Sequence, residues 1–248
     1  MHLHIKAKSL LVASLVVLVL LAVCPPYALT ADKSEILRYE ITWNGSTAGH
    51  GDITTTQNAK QVSVTAQAVS DGVLKALIDL WSRIHATFTP KTFKPQTYKF
   101  HLKSSLSNPE LVDLAFDHKT QLVQVNKQKG NEQESHSEKS AGAYDPISAA
   151  YLLRNQPDLS KPMFVDIYDG KDRARLLVNP AGSEYLRIKS GMHPAVCLNL
   201  RLVKLTGDKK ELGTGKLWIS NDQHRIPLLL TSSPIVGSIR FELVQAHL

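Results

Sequence analysis

The residues of this chain that could act as nucleophiles or metal ligands do not fall into a recognised catalytic spacing. The serine within Gly45 to Gly49 follows the first glycine directly, one position too early for the nucleophile elbow Gly-x-Ser-x-Gly. The histidines show neither the His-x-x-x-His nor the His-Glu-x-x-His spacing of a zinc site. Asp166, Asp169 and Asp172 surround Gly170 but lack the alternating acids and distal glutamate of a calcium loop. We therefore predict a protein that is not an enzyme and has no metal or cofactor.

Ligand binding is the other chemistry that the residue types allow. Aromatic residues fall within or beside the alternating segments described below, and a curled sheet of sufficient size can enclose an apolar groove. An acyl chain would suit such a groove, because each buried methylene contributes about 0.8 kcal/mol. The same side chains could instead fill a solid core, and periodicity does not separate the two. They are Tyr39, Trp43, Trp81, Tyr98, Phe100, Trp218 and Phe241.

Period-two alternation of apolar and polar residues dominates the chain and predicts half-buried strands. Leu37, Tyr39, Ile41 and Trp43 define the first strand, and a second example covers 62–68. Turn dipeptides at Asn44-Gly45, Asp169-Gly170 and Gly207-Asp208 separate the segments. Further strands are predicted near 48–56, 84–90, 96–103, 110–117, 120–127, 162–168, 173–179, 183–190, 194–205, 213–220, 225–232 and 236–246.

Two segments carry helical spacing instead. Asp145 is suited to cap a helix over 146–155, with Pro146 at the first helical position. A shorter helix or pair of turns is predicted over 70–81, capped by Ser70 or Asp71. The polar stretch 126–143 is interpreted as an exposed hairpin or loop.

About a dozen strands with one helix between two β-rich halves predict a mainly β fold. We expect one large antiparallel sheet that curls or forms a half-open barrel, because twist accumulates and open edges are a liability. The helix near 146–155 would pack against it. A two-sheet β-sandwich is the alternative. Residues 32–248 are expected to form a single domain.

The first 31 residues indicate export. Lys6 and Lys8 precede an apolar run over 9–23. Its length of about 15 residues falls short of the roughly 20 that span a membrane, so we predict a signal peptide cleaved after Ala31. A retained anchor is one alternative, and lipidation at Cys24 is another. The bacterial periplasm is the expected location, and no transmembrane helix is expected after cleavage.

Charge and cysteine content narrow the class of partner. Without Lys6 and Lys8 the formal charge falls from +7 to +5, with 27 basic against 22 acidic residues. The basic residues are interspersed with acids and form no continuous stripe for a phosphate backbone, so nucleic acid is not an expected partner. A membrane surface is compatible with the sign of the charge. Cys197 would be the single remaining cysteine, which we expect to be buried and unreactive.

Several phrases occur in a recognisable order along the chain. They are Tyr39 to Gly45 with Gly49 and Gly51, then Thr89-Pro90 with Phe93 and Pro95, then Asp145 to Arg154, and finally Leu217 to Ser220 with Asp222, Arg225 to Pro227 and Gly237-Ser238. In these phrases the chain resembles the bacterial exported-protein family known as domain of unknown function 3108. The resemblance covers essentially all of the chain after residue 31. It implies an envelope protein with a mostly antiparallel β fold, and it supplies no catalytic residues.

The polar groups in these phrases have structural interpretations as well as a functional one. Arg154 could reach a carboxylate or carbonyl groups across the junction of helix and sheet, Asp145 caps the helix, and Asp222 with Arg225 brackets the turn before Pro227. If these groups converge beside an apolar cavity, they would form the rim of a binding site where the start of the helix meets the sheet. The predicted rim for a ligand or partner consists of Asp145, Ser148, Arg154, Trp218, Asp222 and Arg225.

Three functional hypotheses follow from the sequence. The first is a non-enzymatic envelope protein that binds a lipid or the acyl chain of an envelope component. The second is a structural or interaction protein of the periplasm with a solid core and no small ligand, which recruits an envelope protein through a strand edge. The third is an enzyme acting on cell wall or glycans. The sequence gives no prediction of the oligomeric state.

Overall fold

A computed structural model describes residues 33–207, 210–232 and 237–248. The predicted signal segment, its cleavage site and Cys24 lie outside the described residues. So does Asp208 of one predicted turn.

In the described part of the chain, fourteen strands form one antiparallel sheet. Two meanders lie side by side in it, β1 to β8 and β9 to β14, and the pairing of β1 with β14 joins them. The strands are β1 (Lys33–Trp43), β2 (Ser46–Gln57), β3 (Val62–Ser70), β4 (Leu80–Phe88), β5 (Pro95–Ser104), β6 (Ser107–Asp117), β7 (Leu122–Lys129), β8 (Glu132–Lys139), β9 (Met163–Tyr168), β10 (Arg173–Ile188), β11 (Gly191–Lys204), β12 (Glu211–Ser220), β13 (Pro227–Ser232) and β14 (Ile239–His247).

The sheet curls so that its two edge strands approach each other, but it does not close into a barrel. β8 and β9 are its edges. Arg173 of β10 nevertheless donates to the carbonyls of Lys139 and Ser140, which follow β8 at the opposite edge. The prediction of a curled antiparallel sheet is confirmed, and the two-sheet sandwich is wrong, because all fourteen strands belong to one hydrogen-bonded order.

Among the residues that the structure describes, two helices interrupt the strands. α1 (Gly72–Leu77) is capped by Asp71, and α2 (Pro146–Arg154) is capped by Asp145, as predicted. α1 ends earlier than the predicted 70–81, because the Leu80 N–H bonds to Ser70 Oγ and the chain enters β4. Trp81 therefore lies in a strand.

Helix α2 lies inside the curl and is buried on nearly all sides. Its buried residues include polar ones, Ser148 and Arg154, beside Ile147 and Tyr151. Tyr151 packs its ring 4.8 Å from that of Phe88, between centroids. Both halves of the sheet pack their apolar inner faces around this helix, which explains its apolar composition.

The second half contains a strand that sequence analysis divided in two. The predicted strands 173–179 and 183–190 are one strand, β10, with a register shift between Pro180 and Gly182. The prediction of two strands was wrong because a bulge adds a residue and bends a strand without ending it. The stretch 126–143 forms the hairpin of β7 and β8, one of the two interpretations given above.

Beyond this bulge the hairpin of β10 and β11 forms an arm, residues 183–194, that folds over the outer face of the sheet. The backbone N–H of Lys189 donates to Glu242 Oε1 at 2.6 Å, and Trp218 Nε1 donates to Glu184 Oε1 at 2.5 Å. Ile188 of the arm and Leu229 of β13 are both buried. The arm therefore gives the sheet a second, smaller apolar layer. Cys197 is a buried free cysteine in this region, as predicted.

Candidate functional site

A cleft opens at the C-terminal end of α2, where the helix meets the loop between β12 and β13. Its volume is about 300 Å³, at the lower end of the range for small-molecule sites. One wall comes from the end of the helix and the residues after it, and the other from the loop. The lining residues are Arg154, Asn155, Gln156, Pro157, Asp222, Gln223, His224 and Arg225.

Arg154 connects the helix to both halves of the sheet. Its side chain is 2% exposed. Nε donates to the carbonyl of His224 at 2.8 Å, in the second half. Nη2 donates to the same carbonyl and, at 3.3 Å, to Glu35 Oε2 on β1 in the first half. The prediction that Arg154 reaches a carboxylate or carbonyl groups is confirmed in both respects.

The ion pair of Glu35 with Arg154 is buried, and burial disfavours the ionised form of the Glu35 carboxyl group. Burial raises the pKa of Glu35 to about 7, although the charge of Arg154 and its hydrogen bond act in the opposite direction. Breaking such a pair by removing one partner strands the other charge away from water. Substitution of either partner should therefore destabilise this end of the molecule.

Asp222 and Arg225 shape the opposite wall. Asp222 Oδ1 accepts from Ser220 Oγ at 2.8 Å and from the N–H groups of His224 and Arg225. Burial alone would raise the pKa of Asp222, but these hydrogen bonds outweigh it and lower the pKa. The bracketed turn that the sequence predicted is confirmed. It holds Arg225 at a φ of +49°.

Arg225 in turn satisfies the end of α2. Its Nη1 donates to the carbonyls of Arg154 and Gln156, and its Nη2 donates to the carbonyl of Pro157 at 3.3 Å. The last carbonyls of a helix lack partners within the helix, and a cation is favourable there. The loop and the helix end are thereby locked together.

Three buried polar atoms at this end of the molecule have no hydrogen-bond partner among the described residues. They are Glu35 Oε1, Arg154 Nη1 and His224 Nδ1. Buried polar groups are almost always paired, so each such atom calls for an explanation, and an unseen polar partner is one. Glu35 Oε1 is an acceptor, Arg154 Nη1 is a donor, and His224 Nδ1 can be either. Such a combination matches a polar partner rather than an apolar one.

Asp145 and Ser148 lie at the other end of α2 and do not line the cleft. Asp145 Oδ1 accepts from the N–H groups of Ile147 and Ser148, and Ser148 Oγ donates to the Asp145 carbonyl. Burial raises the pKa of Asp145 to about 6, against the opposing effect of these hydrogen bonds. These two residues serve the helix start.

Trp218 is also separate from the cleft, since the arm covers it on the outer face of the sheet. The structure thus brings together three members of the predicted rim, Arg154, Asp222 and Arg225. The rim was predicted at the start of the helix, and the cleft lies at its end. The error arose because the spacing of polar residues along α2 does not reveal which helix end meets the β12–β13 loop.

Sequence analysis missed Glu35 and Thr55. Glu35 shares the inward face of β1 with Leu37 and Tyr39 by period two, so an acid on an apolar face was a signal available in the sequence. Thr55 is a buried residue of β2 whose Oγ1 lies 2.5 Å from the hydroxyl of Tyr151. Its position on the inner face was visible, but its partner, 96 residues away, was not.

The three aspartates around Gly170 have separate partners. Asp166 pairs with Arg175, Asp172 pairs with Lys204, and Asp169 accepts from backbone N–H groups of the turn. They form a hairpin tip, as predicted. Within the described residues, no three side chains of histidine, cysteine, aspartate or glutamate are placed to hold a metal ion. No helix within the described part of the chain combines the length and hydropathy needed to cross a membrane.

Comparison with solved structures places the fold. A β-barrel-like protein of domain of unknown function DUF1849 from Brucella abortus matches with a TM-score of 0.63 at 12% identity, over 86% of this chain and 96% of that one. At this identity the likeness shows the fold alone.

Two further solved structures are less similar to this chain, and their TM-scores are too low to support a conclusion. A protein of Bacteroides fragilis described as exported, with a YmcC-like fold, gives a TM-score of 0.39 at 8% identity, over 91% of this chain and 100% of that one. A protein of Parabacteroides distasonis described as a lipoprotein gives 0.34 at 11% identity, over 90% and 99%.

Curated proteins give no significant match. The model of one family, a protein of unknown function designated DUF3108, matches residues 38–244. This range takes in nearly the whole sheet, helix α2 and the cleft. The chain therefore belongs to the DUF3108 family.

Proposed function

We propose that this protein is a non-enzymatic, exported component of the bacterial envelope that binds a lipid or an acylated envelope molecule through its polar head group. The export part of the proposal rests on the apolar segment 9–23 with its preceding lysines. The binding part rests on the cleft at the end of α2. The observation that carries it is the set of three buried polar atoms without a partner among the described residues, on Arg154 and His224 of the cleft lining and on Glu35, which pairs with Arg154.

The size and charge of the cleft define the group that it suits. A volume of about 300 Å³ accommodates a head group and a small part of a chain. Two guanidinium groups, of Arg154 and Arg225, face the carboxyl groups of Asp222 and Glu35, and burial raises the pKa of Glu35 to about 7. The site therefore carries between zero and one net positive charge near neutral pH, which favours an uncharged, zwitterionic or singly charged polar group over a highly charged anion.

Mass spectrometry of the native protein, purified from its own envelope fraction, tests this proposal. The expected result is a lipid or acylated molecule bound in stoichiometric amount. Gln223→Trp would fill the cleft from its exposed rim, while Asn221→Trp places the same side chain in the same loop outside the lining. The first variant should lose the bound molecule and the second should keep it. A protein that is empty, and takes up no envelope lipid after extraction and refolding, would refute the proposal.

The second candidate function is an interaction protein with a filled interior, which the complete burial of α2 favours. β9 is an edge strand that pairs on its outer side only through the isolated bridge of Tyr144 with Ile167. Phe164 of β9 is 59% exposed there. An extended segment of a partner could add to this edge by main-chain hydrogen bonds.

Photo-cross-linking in intact cells distinguishes the candidate partner from random neighbours. A cross-linking residue replaces Phe164 on the edge, and the control replaces Tyr185, which is exposed on the arm. One protein captured reproducibly at position 164 and not at 185 would support the second function. The same set of neighbours at both positions would count against it.

A further inference from the structure

The hairpin loops of the first meander divide between two ends of the sheet. Because neighbouring strands are antiparallel, the loops after β2, β4 and β6 lie at one end, and those after β1, β3, β5 and β7 lie at the other. Charge differs sharply between these two sets of loops. The difference is specific to position, since the overall charge of the chain is only mildly positive.

Four lysines and no acid occupy the first set of loops. Lys60 lies in loop 58–61, Lys91 and Lys94 in loop 89–94, and Lys119 in loop 118–121, and all four are exposed. We call them the lysine end. The opposite loops contain one lysine, Lys75, and two acids, Asp71 and Asp79.

No ion pair holds the ammonium groups of the lysine end. None of the four lysines forms an ion pair with a carboxylate of the described residues. Asp117 adjoins one of these loops: its Oδ1 accepts from the backbone N–H groups of Lys119 and Thr120, and its charge attracts that of Lys119 without a direct contact. The lysine end therefore keeps an excess of positive charge, with Asp117 as a partial counter-charge to Lys119.

The chain enters β1 at this same end. β1 begins at Lys33, which pairs with Gln57 immediately before loop 58–61. The cleft lies at this end too, since Arg154 bonds both to the carbonyl of His224 and to Glu35, two residues after Lys33. An export segment retained as an anchor, the alternative to cleavage, would add an apolar signal to the basic surface, and the two together give stable attachment to a membrane surface. After cleavage the basic surface alone gives a weaker attraction that depends on salt.

We propose that the lysine end docks on an anionic membrane surface, so that the cleft opens toward the lipid head groups. The inference rests on the charge of the loops and the position of β1, and it stands whether or not the cleft binds a ligand. Each lysine close to an anionic surface increases affinity about five-fold, and the attraction falls with salt.

Two variants of equal net charge test the proposal. The first neutralises the lysine end by Lys60→Gln, Lys91→Gln, Lys94→Gln and Lys119→Gln. The control neutralises four exposed lysines at the opposite end by Lys75→Gln, Lys103→Gln, Lys129→Gln and Lys210→Gln. Thermal unfolding followed by circular dichroism confirms that both are folded. Each variant is expressed as the full chain and purified after the cell has processed its export segment.

Sedimentation with vesicles of phosphatidylglycerol and phosphatidylcholine measures the affinity of the processed proteins. Neutralising the lysine end should weaken binding by about 600-fold if all four lysines reach the surface, and the control should change it little. Vesicles of phosphatidylcholine alone should bind none of the proteins tightly. Equal loss in both variants, or no binding of the unchanged protein to anionic vesicles, would overturn the proposal.

Limited digestion with trypsin, mapped by mass spectrometry, shows which end of the domain faces the membrane. It can also be applied to protein that retains residues 1–31. Anionic vesicles should slow cleavage after Lys60, Lys91 and Lys119, but not after Lys75 or Lys129. Protection at the opposite end would refute the proposal. Binding of soluble dextran sulfate that depends on the lysine end, without binding to vesicles, would assign this surface to an acidic glycan instead.

Discussion

At the scale of single residues, two buried charges fix the ends of helix α2. Asp145 accepts from N–H groups of the first turn, and Arg154 lies in the last turn. These positions match the helix dipole, which favours an anion at the start and a cation at the end. The start of the helix is buried and cannot turn to water for its hydrogen bonds, and at its end Arg225 donates to the free carbonyls beside the cleft. The two charged side chains therefore position the helix along its axis.

Asp145 makes stability depend on pH. Burial raises its pKa from 3.8 to about 6, so the folded state binds this proton more tightly than the unfolded state does. The contribution of this group to the free energy of unfolding should be highest below pH 4 and should fall by about 3 kcal/mol as the pH rises to 6. Asp145→Asn keeps the cap through its side-chain carbonyl and should remove this slope.

Urea unfolding at pH 4, 5, 6 and 7 measures the effect as the difference between the native protein and Asp145→Asn. Glu35 adds its own fall in stability toward pH 7, because burial raises its pKa as well, but it does so in both proteins. Asp145→Ala lacks the cap and should lose about 1 kcal/mol at every pH. A slope unchanged in Asp145→Asn would show that another group is responsible.

At the scale of elements, the sequence was sufficient for features that depend on neighbours along the chain. Period-two alternation located the strands, and Asp145 with Pro146 located the start of α2, since capping and side-chain alternation are local. The arm could not be predicted, because a bulge near Pro180 looks like a break between strands. The ion pair was also missed, since Glu35 and Arg154 are 119 residues apart and meet only through the curl of the sheet.

The turn between β9 and β10 shows how tightly the curl is packed. Gly170 has a φ of +90°, and a Cβ there would lie 2.5 Å from Val112 Cγ1 on β6. Gly182 in the bulge has a φ of +111° but nothing within 4 Å of the same position. The two glycines share a left-handed backbone and differ in surroundings. They form a matched pair for separating backbone strain from packing.

Gly170→Ala should therefore destabilise the protein more than Gly182→Ala. We expect Gly182→Ala to cost about 1 kcal/mol for backbone strain, and Gly170→Ala about 1–2 kcal/mol more because β6 must yield. Chemical denaturation of both variants provides the comparison. Equal losses of stability would show that the turn is not packed tightly against β6 and that the curl can accommodate a methyl group at this point.

At the scale of the whole molecule, α2 joins two meanders that also meet through the pairing of β1 with β14 and through side-chain contacts such as Lys189 with Glu40 and Lys171 with Glu110. Tyr151 contacts Thr55, and Arg154 contacts Glu35, both in the first meander. Arg154 also donates to the His224 carbonyl, between strands of the second. The cleft thus lies where three parts of the chain converge, at the same end as the lysine end. A surface that orients the domain and a cleft that opens on that side would act together.

This arrangement predicts that the two meanders unfold as one unit. Trp81 lies in β4 of the first meander and Trp218 in β12 of the second. One variant keeps Trp81 with Trp43→Phe and Trp218→Phe, and the other keeps Trp218 with Trp43→Phe and Trp81→Phe. Within each variant, the urea midpoint from tryptophan fluorescence should coincide with the midpoint from far-ultraviolet circular dichroism, as a two-state transition requires.

Comparing two probes within one variant removes the effect of the substitutions on stability itself. Coincidence in both variants would mean that neither meander retains structure without the other, because the inner faces of both depend on α2 for burial. A Trp218 midpoint below that of circular dichroism would instead show that the second meander or its arm opens first. In that case the shared core around Tyr151 and Arg154 would not couple the halves, and the cleft between them would open without global unfolding.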